Sequence, residues 1–176
     1  FEDAPFITNG TGCIRVLDGD VEIESLTINN TDGLKIQNSR TVRIFGELNG
    51  TGSWTGDEGA GNTNLSIAEG AVLSPGSNDG DGSTIGILSG TKLTMETDSI
   101  YKWEVADPAD GAGEGYDFVE VNEIDLQSDW ILKLENAGLT RTITADEEFD
   151  LFTGNIGLNE GSAVIDSNVP NGWDIS

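Results

Sequence analysis

The feature that most constrains the fold of this chain is the residue pattern of 71–105 and 116–122. Short runs of alternating apolar residues are cut every few positions by Gly, Ser, Asn and Asp. Alternation with a period of two places apolar side chains on one face of a β-strand, and no segment with a helical period intervenes. Gly, Asn and Asp tolerate positive φ and therefore predict tight turns. The pattern predicts an all-β fold of many short strands.

The same alternation runs through the rest of the chain. Successive apolar runs lie about six to ten residues apart, which is too short for helical crossovers. The runs on which the prediction rests are Ile14/Val16, Val21/Ile23, Leu26/Ile28, Leu34/Ile36, Val42/Ile44, Leu65/Ile67, Ile85/Ile87, Leu93/Met95, Tyr101/Trp103/Val105, Val119/Val121, Ile124/Leu126, Trp130/Leu132/Leu134 and Phe149/Leu151.

Two all-β architectures fit this pattern. In a β-sandwich, consecutive strands pair as hairpins, which the Asn-Gly and Asp-Gly dipeptides favour. In a parallel β-solenoid, short strands form the sides of a coil and each coil stacks on the previous one. Residues 25–52 favour the solenoid, because their apolar pairs recur at about eight-residue steps with Asn at the bends. We expect the solenoid, with the sandwich as the alternative.

Charge excludes several classes of partner. The 176 residues include 32 acidic and 8 basic residues, a net charge of −24. Nucleic acid and anionic membrane surfaces would be repelled by this field. The excess of acid instead fits a soluble surface protein, a salty habitat or contact with divalent cations. The length fits one domain that can bury a core without disulfides.

The chain contains no histidine and one cysteine, Cys13. Zinc sites made of four Cys or His ligands and Ser–His–Asp catalysis are therefore excluded. Cys13 is expected either to be a buried apolar residue or to form an intermolecular bond. No apolar run approaches the ~20 residues of a membrane helix. The start at Phe1 suggests a processed or excised chain, so export remains compatible with the sequence.

An ordered set of phrases between residues 25 and 135 resembles the passenger domains of autotransporters and related bacterial surface β-helix repeats. These phrases are GELNGTGSW (46–54), AVLSPG (71–76), IGIL (85–88), LTM (93–95), YKWEV (101–105), YDFVEVN (116–122) and WILKL (130–134). The resemblance implies a right-handed parallel β-helix that is exported and lies at the cell surface or outside the cell.

The chain departs from that family in two ways. No translocator barrel follows, which suggests a fragment, a shed product or a protein anchored differently. Residues 136–176 also lose the pattern. We therefore predict a β-solenoid domain over residues 1–135, followed by a cap or additional strands of the same domain over residues 136–176.

The best candidate for chemistry is a calcium site. Asn78, Asp79, Asp81 and Ser83 concentrate oxygen ligands in one loop, as a hard cation requires. The same residues also make a good turn without any ion. Asp107, Asp110 and Asp117 form a second, sparser cluster. No cofactor is expected to be required, and calcium is the candidate ion.

Two further candidates concern sugars. Trp54 lies in the polar segment 53–64, where we expect an exposed ligand-binding aromatic residue. Glu104 and Asp117 flank the segment 106–115 and are the pair that a glycosidase would use. Their spacing is not diagnostic, so no catalytic residue is assigned and we expect a protein that is not an enzyme.

These features together predict a non-enzymatic, secreted or cell-surface structural protein of bacterial origin: a scaffold, an adhesin segment or a self-assembling filament or sheath subunit. Its expected partners are its own copies, through the solenoid ends, or glycans and surfaces of host or neighbouring cells. Nucleic acid and membrane insertion are not expected. The alternatives are a carbohydrate-binding module and, less favoured, a polysaccharide-active β-helix enzyme.

Overall fold

The structure, a computed structural model, describes residues 6–7, 13–16, 19–37, 39–56, 63–76, 85–137 and 149–166. Within these ranges the molecule is all-β, and its helical content is a single 3-10 turn at Pro108–Asp110. The strands are β1 (Phe6–Ile7), β2 (Ile14–Val16), β3 (Val21–Ile28), β4 (Leu34–Ile36), β5 (Thr41–Gly50), β6 (Trp54–Gly56), β7 (Asn64–Ile67), β8 (Val72–Pro75), β9 (Ile87–Met95), β10 (Ile100–Val105), β11 (Phe118–Leu126), β12 (Trp130–Asn136), β13 (Phe152–Glu160) and β14 (Ala163–Ile165).

Every pairing between these strands is parallel. An 11-stranded sheet has the order β13-β11-β9-β7-β5-β8-β10-β12-β14, with β3 also beside β5 and β1 beside β3. A second sheet has the order β2-β4-β6. Consecutive strands do not pair as hairpins in the described part of the chain, so the β-sandwich alternative is wrong. The large sheet is instead a curled parallel sheet.

The curl of the large sheet comes from a stacked corner. We use the word coil for one repeat of the chain, from a residue to the residue that pairs with it on the next strand of the sheet. Gly70, Asp98 and Asp129 each lie at the corner of one coil, with φ values of 73°, 59° and 66°. Their amides donate to the next corner: Gly70 to the carbonyl of Asp98 (3.0 Å), Asp98 to that of Asp129 (3.2 Å), and Asp129 to that of Ser162 (2.9 Å). Residues that tolerate the left-handed region are required here, because the chain turns sharply between two strands.

Successive coils grow longer along the chain. The residues that face one another from coil to coil form two columns: Val21, Val42, Leu65, Leu93, Ile124 and Ile156, and Leu26, Leu48, Leu73, Tyr101, Leu132 and Ile165. Val42 follows Val21 by 21 residues, whereas Ile156 follows Ile124 by 32. Part of the added length lies between strands, as with residues 106–117 between β10 and β11.

Large aromatic residues are part of the core in the later, longer coils. One apolar core runs through both sheets. Its early coils hold mostly Leu, Ile and Val, whereas later coils bury Tyr101, Trp103 and Trp130 at 0–2% exposure. The centre of the Phe152 ring lies 4.9 Å from that of Tyr101 and 5.7 Å from that of Trp130. Large side chains replace aliphatic ones because close packing leaves little empty volume inside a protein.

Ion pairs link neighbouring coils on the outer face. Arg43 reaches Glu22 on one side at 3.3 Å and, through two bonds of 2.8 and 2.7 Å, Glu96 on the other. Lys92 bonds Glu123, which lies on the next coil. Arg43 holds the pKa of Glu96 below its ordinary value through these hydrogen bonds, against the opposing effect of burial. Arg43 thus joins Glu22 on the coil before it to Glu96 two coils after it, and Lys92 joins Glu123 on the next coil.

Strands beyond residue 136 extend the same sheet. β13 pairs with β11 and β14 pairs with β12, both in parallel. Gly154 allows β13 to approach β11, since a Cβ there would crowd the carbonyl of Val121.

Replacing Gly90 in β9 by Ala should destabilise the protein by about 1–3 kcal/mol. A Cβ at this position would overlap the indole of Trp54, whose ring lies against the glycine backbone. Chemical denaturation would measure the change, with Ser89→Ala on the same strand as the control. Equal unfolding midpoints for the two variants would contradict this packing.

Candidate functional site

Residues 106–116 form a compact loop whose two ends meet. The amides of Ala106 and Asp107 both donate to the carbonyl of Gly115, at 2.8 and 3.1 Å. Asp107 begins the 3-10 turn, where its carboxylate accepts the amide of Ala109. Gly111 closes the turn with a φ of 84°. Closed loops of this kind often carry function because a rigid base presents them to solvent.

Asp117 secures the base of this loop. Its carboxylate accepts the amide of Gly86 at 2.9 Å through Oδ1 and the amide of Glu104 at 3.0 Å through Oδ2. Its own amide donates to the carbonyl of Glu104 at 2.9 Å, and its carbonyl accepts the indole N–H of Trp103 at 2.8 Å. The residue is fully buried. A single side chain thus joins the segment before β9, strand β10 and the end of the loop.

The environment favours the protonated form of this acid. Burial raises the pKa of Asp117 to about 8, with the nearby charge of Glu104 adding to the effect. The hydrogen bonds from Gly86 and Glu104 and the charge of Lys102 act in the opposite direction. Burial has the largest effect on this pKa, because an ionised carboxylate loses its hydration in the interior.

A charged network lies beside the site on β10 and β12. Lys102 and Lys133 face each other across the two strands, and so do Glu104 and Glu135. Lys102 lies 3.4 Å from both carboxylates, and Lys133 lies 2.8 Å from Glu135. Burial lowers the pKa of Lys102, but the two carboxylates raise it more, so the net direction is upward. The diagonal contact between Lys102 and Glu135 thereby offsets the repulsion between the like charges that lie opposite each other on the two strands.

Aromatic rings cover the base of the loop. The ring of Tyr116 lies 5.9 Å from that of Trp103 and 5.4 Å from that of Phe149. Trp103 and Phe149 are themselves 5.3 Å apart. The Tyr101 hydroxyl is also fully buried, and burial raises its pKa well above the ordinary value, with the charge of Asp117 adding to it. The base of the loop is therefore buried and lined by aromatic rings.

Glu104 and Asp117, the two acids that a glycosidase would use, lie close together in the structure, but both are buried. Glu104 is 7% exposed and Asp117 is 0% exposed. Two acids that a sugar cannot reach cannot protonate or attack a glycosidic bond. The sequence held a signal for this burial: Asp117 is in phase with Val119 and Val121, whose side chains face the core.

Trp54 was expected to be exposed, and that expectation is wrong. Its side chain is fully buried, and its indole N–H donates to the carbonyl of Lys92 at 3.2 Å. The polar residues around it misled the prediction, because Trp54 lies on the short strand β6 and faces the core from there. It is not available to a ligand on the surface.

The proposed calcium ligands Asn78, Asp79, Asp81 and Ser83 lie outside the described residues. The second acidic cluster is not assembled: Asp117 is buried, Asp107 caps the 3-10 turn and Asp110 is exposed. Nowhere in the described ranges do three or more Cys, Asp or Glu side chains come together as a metal site.

Other surface features are modest. Cys13 is exposed, so the expectation of a buried apolar residue is wrong. A recess open to solvent is lined by Asp20, Val21, Glu22, Thr41 and Arg43, and Arg43 is already engaged by carboxylates. The described part of the chain holds no helix that is both long and apolar enough to cross a bilayer.

Comparison with protein-family models, with curated proteins and with solved structures gives no match to this chain.

Replacing Asp117 by Ala should destabilise the protein by about 2–5 kcal/mol at pH 5, because it leaves two buried amides without an acceptor. Asp110→Ala, an exposed acid on the same loop, is the matched control and should change stability by about 0.5 kcal/mol or less. Urea unfolding followed by circular dichroism would measure both. Similar values for the two variants would show that Asp117 does not anchor the loop.

Proposed function

We propose that this chain is a non-enzymatic structural segment of a bacterial extracellular or cell-surface protein, built as a right-handed parallel β-helix. The observation that supports this most is the parallel pairing of each strand with a strand one coil away, around one apolar core. A stack of this kind extends along one axis and offers long, rigid surfaces. Rigid extension is what a stalk, scaffold or adhesin segment requires.

The surface location is supported by chemistry and by resemblance. The net charge of −24 keeps such a protein soluble and separate from anionic surfaces. The ordered phrases from GELNGTGSW to WILKL resemble bacterial surface β-helix repeats. Both features are expected of a segment that is exported and displayed.

A structural role also agrees with what the most reactive residues do. Glu104 and Asp117 are buried in the anchor of loop 106–116. Trp54, the aromatic residue that a sugar site would have used, is part of the core. The side chains that suggested enzymatic or carbohydrate chemistry thus stabilise the coil.

Self-association would use the ends of the large sheet. Among the described strands, β13 and β14 each have a neighbour on one side only. Such edges present backbone groups that can pair with another strand. The first and last coils differ in length by about half, so the two ends of the stack do not match each other in outline. We therefore propose that two copies join through like ends, with surface glycans as the other class of partner.

Sedimentation velocity over a range of protein concentrations would test this assembly. The wild type should associate as concentration rises, and Val164→Lys on β14 should weaken that association. Val164 is 47% exposed, and a charge on an edge strand opposes pairing. Phe45→Lys is the matched control, because Phe45 is similarly exposed at 41% but lies on the interior strand β5.

A wild type that stays monomeric at every concentration, with and without calcium, would contradict the assembly. Equal weakening by Val164→Lys and Phe45→Lys would place the contact elsewhere. Release of sugars from a polysaccharide by the wild type, abolished by Glu104→Gln, would overturn the non-enzymatic role.

A further inference from the structure

The outer face of strands β8, β10, β12 and β14 carries a column of apolar residues. The parallel register places Val72, Ile100, Ile131 and Val164 side by side on successive strands. The residues that alternate with them, such as Tyr101, are in the core, so these four side chains point outward. All four are partly or fully exposed. A contiguous apolar column on the outside of a sheet is typical of an interaction surface.

Charged columns flank the apolar column on both sides. β10 and β12 share one outward-facing order: an acid at the corner, an isoleucine two residues later and a lysine two residues after that. These residues are Asp98, Ile100 and Lys102 on one coil and Asp129, Ile131 and Lys133 on the next. The two acids and two lysines cancel in charge, although the whole chain carries −24. A second copy of this acidic chain can therefore approach this strip with little repulsion.

We propose that this outer face binds the same face of a second copy, with the two coil axes parallel. A two-fold axis parallel to the coil axis relates the copies, so the strands of the two faces run antiparallel to each other. Each apolar column then meets its counterpart, and the lysine column of each copy lies over the aspartate column of the other. The contact is on the side of the stack, so it goes beyond the joining of ends proposed above.

The order of charges selects this arrangement over the other two-fold one. An axis along the strands would place lysine over lysine and aspartate over aspartate, and like charges across an interface oppose binding. In the proposed arrangement Lys102 meets the partner's Asp98, and Lys133 meets the partner's Asp129. Glu135 already contacts both lysines within each copy, at 3.4 and 2.8 Å. An ammonium group has three N–H donors and can serve a second carboxylate as well.

The face is small, so the contact is weak. Four strands and four residue steps cover about 14 Å by 13 Å. This is well below the roughly 800 Å² that each partner buries in a stable interface. Several weak contacts of this kind add in strength when many copies are held close together. Parallel coil axes suit stalks that stand side by side on one surface.

Thiol cross-linking would test the contact in a protein with Cys13→Ser, which removes the exposed native thiol. In Ile100→Cys, the substituted positions of two copies lie about 10 Å apart when the faces pack, within reach of a short bis-maleimide. Joining of ends through β14 leaves them about 24 Å apart, which is five strand spacings. Ile100→Cys should cross-link about tenfold faster than Glu120→Cys, an exposed control position on β11.

Two double variants in the Ile100→Cys background would test the ion pairs. Asp98→Asn with Asp129→Asn removes the acids that meet the lysines, and Asn tolerates the positive φ of both positions. Asp110→Asn with Glu120→Gln removes the same charge from two other exposed positions. Because the net charge changes equally, the first pair should cross-link at least about threefold more slowly than the second.

Equal rates for Ile100→Cys and Glu120→Cys would overturn the face contact. Equal rates for the two double variants would overturn the two-fold arrangement, because its ion pairs would then contribute nothing. The readout separates this contact from the joining of ends. Copies that associate in sedimentation and lose this association with Val164→Lys, but do not cross-link at residue 100, would overturn the face contact and leave the joining of ends intact. Cross-linking at residue 100 without any effect of Val164→Lys on sedimentation would support the face contact alone.

Discussion

The structure depends on parallel, in-register hydrogen bonding between one coil and the next. The described strands form no hairpins with one another, so the ladder partners of their amides and carbonyls come from the coils on either side. Register is fixed at the same time, since a slip of one residue would turn every apolar side chain outward. The columns that begin at Val21 and Leu26 are the result, and they keep one continuous core through coils of different length.

The growth of the coils explains where the unusual residues occur. The later, longer coils bury Tyr101, Trp103 and Trp130, and the earlier coil that contains β6 buries Trp54. A longer coil also carries extra chain that must leave the sheet and return. Loop 106–116 is such an excursion, and Asp117 supplies the hydrogen bonds that a strand would otherwise supply at its base. The buried acid thus lies where the excursion between β10 and β11 rejoins the sheet.

Alternation predicted most of the strands and most of the core, because period-two burial is a local property of each segment. Leu34, Ile36, Leu93 and Met95 are all buried as expected. Trp54 could not be placed this way, since three residues of β6 among polar neighbours give no period to detect. The partners of Asp117 were equally out of reach, because Gly86 is brought to it by coil stacking and Glu104 by closure of loop 106–116, neither of which the local sequence encodes.

Charged and titratable side chains have two roles in this molecule: exposed ones form ion pairs between strands, and the buried Asp117 binds backbone amides. Arg43 is 37% exposed beside Glu22 and Glu96, and such exposed pairs contribute at most about 1 kcal/mol each. On β10 and β12, where the register places Lys102 opposite Lys133, the carboxylate of Glu135 lies within 3.4 Å of both ammonium groups and offsets their repulsion. Asp117, by contrast, is fully buried, and its carboxylate accepts the backbone amides of Gly86 and Glu104. Burial therefore raises the pKa of Asp117, whereas hydrogen bonds from Arg43 hold that of Glu96 below its ordinary value.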